Sequence, residues 1–256
     1  MSESFDLLVR GGMVATPGGI AAADIGIIDG RIASVGALTG AAAAEIFDAK
    51  GLHVLPGVID SQVHFREPGN AHKEDLESGS RAAVLGGVTG VFEMPNTFPP
   101  TTTRAAIADK LARAENRMHC DYAFYVGATP ANLGALGELE RMAGVCGVKA
   151  FLGSSTGTLL LSQEKDILAA LKSGSRRMAV HSEDEDRLEA RKGERVTGDV
   201  RSHPVWRDVE TARASTERVL RLAKEARRRL HVLHVTTGDE IPLLAAAKDF
   251  ATAETT

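Results

Sequence analysis

Short apolar runs broken by glycine fill the first 55 residues of the chain. Residues 5–10, 25–28 and 31–35 read as strands, rich in Phe, Leu, Val and Ile. Asp29-Gly30 sits between two of them, and such a pair predicts a tight hairpin, because a type I′ turn needs positive φ at both central residues. Residues 41–44 are alanines beside glycine and read as a loop. No helical periodicity is visible, so residues 1–55 predict a small β module.

From residue 56 onward the rhythm changes to strand and helix in turn. Predicted strands cover 54–64 (interrupted by Pro56-Gly57), 88–95, 121–128, 145–152, 177–181, 230–235 and 252–256. Predicted helices cover 73–86, 102–118, 132–143, 162–173, 209–228 and 241–248. Ile107, Leu111, Ala114 and Met118 share one helical face, and Val209, Ala212, Thr216, Val219, Ala223 and Ala226 another. Short apolar strands alternating with helices indicate a parallel sheet covered by helices. A (β/α)8 TIM barrel over residues 56–256 is the first expectation and a doubly wound sheet the second. A full barrel usually takes about 250 residues. The count here reaches seven strands and six helices, so the expected barrel is incomplete at its C-terminal end, and the chain reads as part of a longer protein.

Composition narrows the function. With 30 Lys plus Arg against 34 Asp plus Glu, the net charge is −4, which does not suit a nucleic-acid tract. The 43% hydrophobic and 25% charged content is that of an ordinary globular chain. No apolar run is long enough to span a bilayer, and the first residues do not resemble a signal peptide. Cys120 and Cys146 lie in apolar runs and read as buried free thiols, not as a disulfide framework. A cytoplasmic enzyme is the resulting expectation.

Polar residues stand where predicted strands end. His64 follows the first barrel strand, Lys149 lies in the fourth, His181 ends the fifth and His234 lies near the end of the sixth. In an α/β barrel those ends form one rim, so four residues remote in sequence are expected to converge. Imidazoles there are candidate zinc ligands. A lone His is more often a hydrogen-bonded structural residue, and His53, His72, His119 and His203 are assigned that role. His231 is three residues from His234, and strand alternation predicts that it faces away from the site.

Five motifs occur in order: Leu55-Pro56-Gly57-Val58-Ile59-Asp60-Ser61-Gln62-Val63-His64-Phe65-Arg66-Glu67-Pro68-Gly69, Glu93-Met94-Pro95-Asn96-Thr97, Gly147-Val148-Lys149-Ala150-Phe151-Leu152-Gly153-Ser154-Ser155-Thr156-Gly157, Val180-His181-Ser182-Glu183, and Leu230-His231-Val232-Leu233-His234-Val235-Thr236-Thr237. Together they resemble the amidohydrolase superfamily, and the Phe65–Gly69 stretch is similar to dihydroorotase. The resemblance covers essentially the whole chain and implies a metal-dependent hydrolase barrel with a small N-terminal β-sandwich module. It implies His64, Lys149, His181 and His234 as ligands of one or two zinc ions, with Lys149 carboxylated. It implies Arg66 and Asn96 as substrate-binding residues, Arg66 through the planar fork that suits a carboxylate. Ion pairing of Arg66 with Glu67 or Glu74, and a turn role for Asn96, are the structural alternatives.

Two departures from the family pattern stand out. Gln62 occupies a position that is usually His, and a neutral amide oxygen is a weak zinc ligand. The family's catalytic aspartate belongs to an eighth strand, so no catalytic acid or base is expected within residues 1–256. The activity implied is dihydroorotase, the reversible hydrolysis of dihydroorotate to N-carbamoyl-L-aspartate in pyrimidine biosynthesis, in a homo-oligomer. The alternatives are another cyclic amidase (hydantoinase or allantoinase) and a non-catalytic subunit that scaffolds aspartate transcarbamoylase. An isolated open barrel is further expected to expose its first and last strands.

Overall fold

The computed structural model describes residues 4–153 and 158–256. Ser154-Ser155-Thr156-Gly157, the end of the third motif, lies outside the described residues. The chain divides into two compact units, Met1–Val58 and Ile59–Thr256. No helix among the described residues is long and apolar enough to cross a membrane.

The first unit holds β1 (Ser4–Thr16), β2 (Gly19–Ile28), β3 (Arg31–Gly36), β4 (Ala42–Asp48) and β5 (His53–Val54). They form one sheet in the order β3-β2-β1-β4, with β5 also on β1. The described strands of this unit make one sheet. Asp29 and Gly30 have φ of 50° and 69°, the two positive values that the hairpin needs. Residues 41–44 are not a loop: β4 starts at Ala42 and pairs in parallel with β1. That pairing is long-range, and an alanine run carries no periodic signal of it.

The second unit contains β6 (Val58–Val63), α1 (Leu76–Leu85), β7 (Val88–Glu93), α2 (Arg104–Ala114), β8 (Asp121–Gly127), α3 (Leu136–Leu139), β9 (Val145–Phe151) and α4 (Glu164–Lys172). It continues with β10 (Met178–His181), α5 (Glu185–Ala190), α6 (His203–Trp206), α7 (Val209–Ala226), β11 (Leu230–Val235), α8 (Ile241–Ala246) and β12 (Ala251–Thr255). The strands form one seven-stranded sheet in unbroken sequence order, β12 to β6. A doubly wound sheet reverses its order partway, so that second expectation is excluded. The two terminal strands also approach each other: Ser61 Oγ on β6 donates to Glu254 Oε2 on β12 at 2.6 Å. The sheet is therefore curled like part of a barrel.

One sheet face packs on helices. Val148, Ala150, Val180 and Val232 share a core with Ile167 and Leu171 of α4 and with Val219 and Ala223 of α7. Burial of these side chains is the main stabilising contribution, about 1.5–3 kcal/mol for each large one. The other face carries Tyr125, Ala179 and Leu233. Helix α1 begins at Asp75, which accepts from the Ser78 amide at 2.7 Å. Its Gly79 leaves room for the Phe65 ring, since a Cβ there would lie 2.4 Å from Phe65 Cδ1. This close approach fixes the stretch that follows β6.

Candidate functional site

Strand alternation places Lys149. Its neighbours Val148 and Ala150 pack on the helices, so Lys149 points to the opposite face. In the register it lies beside Gly127 of β8 and Ala179 of β10, and Ala179 lies beside His231 of β11. Lys149 is only 1% exposed. Its Nζ has no hydrogen-bond partner among the described residues and lies 4.5 Å from the Phe151 ring centroid. Burial pushes the amine well below the ordinary lysine range, with the Glu254 charge opposing.

His181 ends β10 two residues after Ala179, on the Lys149 face. The ladder between β11 and β12 is irregular between Val232 and Val235, and His234 has φ of 40°. A non-glycine residue in that region carries strain, a feature that concentrates at functional sites. The irregularity turns His234 toward its partner: His181 Nδ1 and His234 Nε2 are 3.1 Å apart. His181 Nε2 meets Glu183 Oε2 at 2.5 Å, and Arg207 Nε donates to Glu183 Oε1 at 2.7 Å. Burial alone would raise the Glu183 carboxyl, but the His181 and Arg207 hydrogen bonds outweigh it and hold it at about 2. Burial lowers His181, with Glu183 opposing and Lys149 reinforcing. His234 falls to about 4 through burial and the neighbouring His181 and Lys149. A neutral imidazole is the form that ligates metal.

His64 leaves the end of β6 and is hydrogen-bonded by Asn96. Burial lowers it to about 4, and the charges of Arg66 and Lys149 add to the effect. Asn96 is therefore more than a turn residue. It also lines a cavity of about 510 Å³ with Asn70, Thr97, Phe98 and Leu159. Among the described residues Arg66 forms no ion pair. Glu67 instead accepts from Arg117 at 2.8 and 3.1 Å and from the Leu76 amide at 3.1 Å. Gln62 is half-buried on β6, two residues before His64 and so on the same side of the strand.

His231 departs from expectation. It does not face away from the site, because the irregularity at His234 resets the alternation, so a count of three residues no longer reverses the face. His231 shares the Lys149 register row, with Nδ1 2.8 Å from Thr252 Oγ1 and Nε2 3.1 Å from Glu254 Oε2. Sequence reasoning gave no role to Glu254 or Arg207, and it quoted Glu183 only within a motif. For Glu183 a signal existed: it lies two residues beyond His181, within reach of the same ring.

Can these residues hold a metal? Among the described residues no three His, Cys, Asp or Glu side chains gather closely enough to do so alone. The donor set needs Lys149. A buried amine without a partner costs free energy, and conversion to a cation-bound carbamate would relieve that cost. With His181 and His234 adjacent and neutral, the set fits a divalent cation held by two imidazoles and a modified Lys149. The His181–His234 pair also borders a cavity of about 500 Å³ walled by Glu183, Arg207, Leu233 and Thr236.

The family model described as dihydro-orotase-like matches residues 51–190, more than half of the chain. Allantoinase from Rubrobacter xylanophilus is 39% identical over 258 residues, covering 96% of this chain and 56% of its own length. Allantoinase from Escherichia coli K12 is 36% identical over 261 residues, with 96% and 56% covered. L-hydantoinase (dihydropyrimidinase) from Arthrobacter aurescens superimposes with a TM-score of 0.90 at 31% identity, covering 98% of this chain and 58% of that one. The chain thus spans little more than half the length of these relatives. Their names are allantoinase and hydantoinase, so they support the superfamily but not the narrower dihydroorotase expectation. The chain belongs to the dihydro-orotase-like family of the amidohydrolase superfamily.

Proposed function

We infer that this chain supplies most of the site of a zinc-dependent cyclic amidohydrolase, which opens the ring amide of a cyclic ureide such as allantoin or a hydantoin. One observation carries the reading: a fully buried Lys149 amine, without a hydrogen-bond partner among the described residues, on the same sheet face as a close pair of neutral imidazoles, His181 and His234. The relatives named above supply the substrate class.

Burial favours the neutral Lys149 amine, the form that adds carbon dioxide and loses a proton to become a carbamate. Lys149, His181 and His234 would hold the zinc, with His64 beside them and Gln62 a weak further donor. Bound zinc would supply water activation and carbonyl polarisation. Glu183, fixed by Arg207, orients the His181 ring. Asn96 holds His64. Arg66, free of any ion pair among the described residues, offers its guanidinium to polar groups of the substrate. In the net reaction water adds to the ring carbonyl, the ring C–N bond breaks and the departing nitrogen gains a proton.

Arg66, without an ion pair among the described residues, favours a second substrate, dihydroorotate, whose carboxylate matches a guanidinium fork. Parallel assays of zinc-loaded protein on allantoin, hydantoin and dihydroorotate decide between the two. Turnover of one of the first two supports the leading reading, and turnover of dihydroorotate alone supports the second. Metal-free, inactive protein that co-purifies with aspartate transcarbamoylase would replace both with a scaffold role.

A further inference from the structure

A buried polar cluster lies behind the paired imidazoles. Alternation continues past the end of β10, so His181 and Glu183 turn to the candidate site while Ser182 and Asp184 turn to helix α7. Ser182 Oγ donates to Ser215 Oγ at 3.1 Å and lies 2.9 Å from Thr216 Oγ1. The Asp184 amide donates to the Thr211 carbonyl at 2.9 Å, and the Asp184 carboxylate meets the Arg218 guanidinium at 2.9 Å. Thr211, Ser215 and Arg218 recur at helical spacing, so one face of α7 grips the segment that follows His181. The Thr216 hydroxyl in turn donates to Glu240 Oε1 at 2.6 Å. Glu240 closes the turn that follows β11, the strand that carries His234. Ser215 and Thr216 are fully buried, and Glu240 is only 2% exposed.

The position of this link gives it a purpose. The β10–β11 ladder pairs Met178, Ala179 and Val180 with Leu230, His231 and Val232, and ends before either imidazole is reached. His234 itself sits in irregular backbone with φ of 40°. Regular sheet pairing therefore does not fix the approach of His181 to His234. The Ser182–Thr216–Glu240 link spans the same two segments, and at its depth bulk water does not compete for the bonds. We propose that Thr216 and Glu240 are positioning residues: with Ser182 they brace the end of β10 against the turn after β11 and so fix the approach of His181 to His234. Among the described residues neither Thr216 nor Glu240 hydrogen-bonds a candidate metal donor. The proposal rests on the functional reading above only for the use of the two imidazoles as metal donors.

The test uses the whole protein carrying Thr216→Val with Glu240→Met, Glu240→Met alone, or Glu240→Gln. The double variant removes the Thr216–Glu240 bond and leaves neither partner buried and unpaired. The imidazole signals of His181 and His234 are followed by proton–nitrogen NMR in metal-free protein. Zinc affinity is measured by competition with a chelator, and the urea midpoint reports folding. Loss of the brace shifts both imidazole signals and lowers zinc affinity about 10- to 100-fold, with the urea midpoint little changed. Glu240→Gln, which keeps an acceptor oxygen for Thr216, behaves as the unmodified protein. Unmoved imidazole signals in the double variant overturn the brace, and Glu240→Met alone decides if the double variant does not fold. Moved signals with unchanged zinc affinity also overturn it. So does a fall in zinc affinity that only follows a fall in the urea midpoint, because the link would then be structural. If the unmodified protein takes up no zinc, the functional reading fails, and the imidazole signals alone decide the brace.

Discussion

Glu183 Oε2 lies 2.5 Å from His181 Nε2, while the Arg207 guanidinium donates to both oxygens of the same carboxylate. The imidazole is thereby held by an acid that is itself held by a base. Ring orientation of a metal-binding His commonly depends on such a partner. Glu183→Ala is expected to weaken zinc binding by about 10- to 100-fold. It also strands Arg207, and a chemical-denaturation midpoint should report a loss of about 2 kcal/mol. Zinc affinity equal to that of the unmodified protein would show that His181 needs no orienting carboxylate.

Lys149 gives a prediction of opposite sign for stability. Its amine is buried and has no hydrogen-bond partner among the described residues, so in metal-free protein it costs free energy and contributes none. Lys149→Met keeps the volume and removes the polar atom. Metal-free Lys149→Met should be more stable by about 1–3 kcal/mol in urea yet inactive after zinc addition. A destabilised variant would mean that the amine has a partner that the structure does not reveal.

Most of the order of strands and helices in the second unit was legible because short apolar runs and period-3.6 patterns alternate up to β10 and again from α7. Lys149 and His181 were legible because regular strands carry them to one face. His231 was misread for a local reason: the irregularity and positive φ at His234 break the alternation, and neither has a sequence signature. The stretch between β10 and α7 was also unread. Its short helices are held by side-chain bonds, Arg187 to Asp208 at 2.9 Å and Trp206 Nε1 to the Leu188 carbonyl at 3.0 Å, not by a periodic apolar face. Substrate choice was hardest to read. Phe65–Gly69 is similar to dihydroorotase, but substrate is selected by the loops around the site, and the relatives carry other substrate names.

Gln62 shares its side of β6 with His64, where an imidazole would add a stronger donor. Gln62→His is expected to raise bound zinc from about one ion to about two per chain, read by elemental analysis after dialysis. Zinc content unchanged from that of the unmodified protein would mean that position 62 does not face the metal donors.

Burial pushes the Cys146 thiol up to about 12, and burial also raises Cys120. The thiolate is the reactive form, and at pH 8 only about one Cys146 in ten thousand carries it. Native protein should therefore react with a disulfide reagent far more slowly than denatured protein does. Both thiols are free but only partly buried, where the sequence predicted buried ones, so rapid titration of Cys146 without denaturant is the outcome that would contradict its raised value.

Glu93 and Lys110 form an ion pair inside the second unit, each about 1% exposed, and Lys110 Nζ also donates to the Met94 carbonyl at 3.0 Å. The bond to Met94 anchors the strand end from which Asn96 reaches His64. Burial raises the Glu93 carboxyl to about 7 from its ordinary 4.5, against the pull of Lys110. Lys110→Met removes that pull, so the folded value rises further above the unfolded one. A carboxyl raised on folding contributes stability that is present below the unfolded value and lost as pH climbs through the folded value. The cost of Lys110→Met should therefore be small near pH 5 and reach about 3–5 kcal/mol above pH 8. Adding Glu93→Gln should recover most of the alkaline loss, because no charge is then left buried alone. Urea melts of the three proteins at pH 5 and pH 8.5 give the comparison. A Lys110→Met penalty that does not change with pH would show that the Glu93 carboxyl reaches water in the variant.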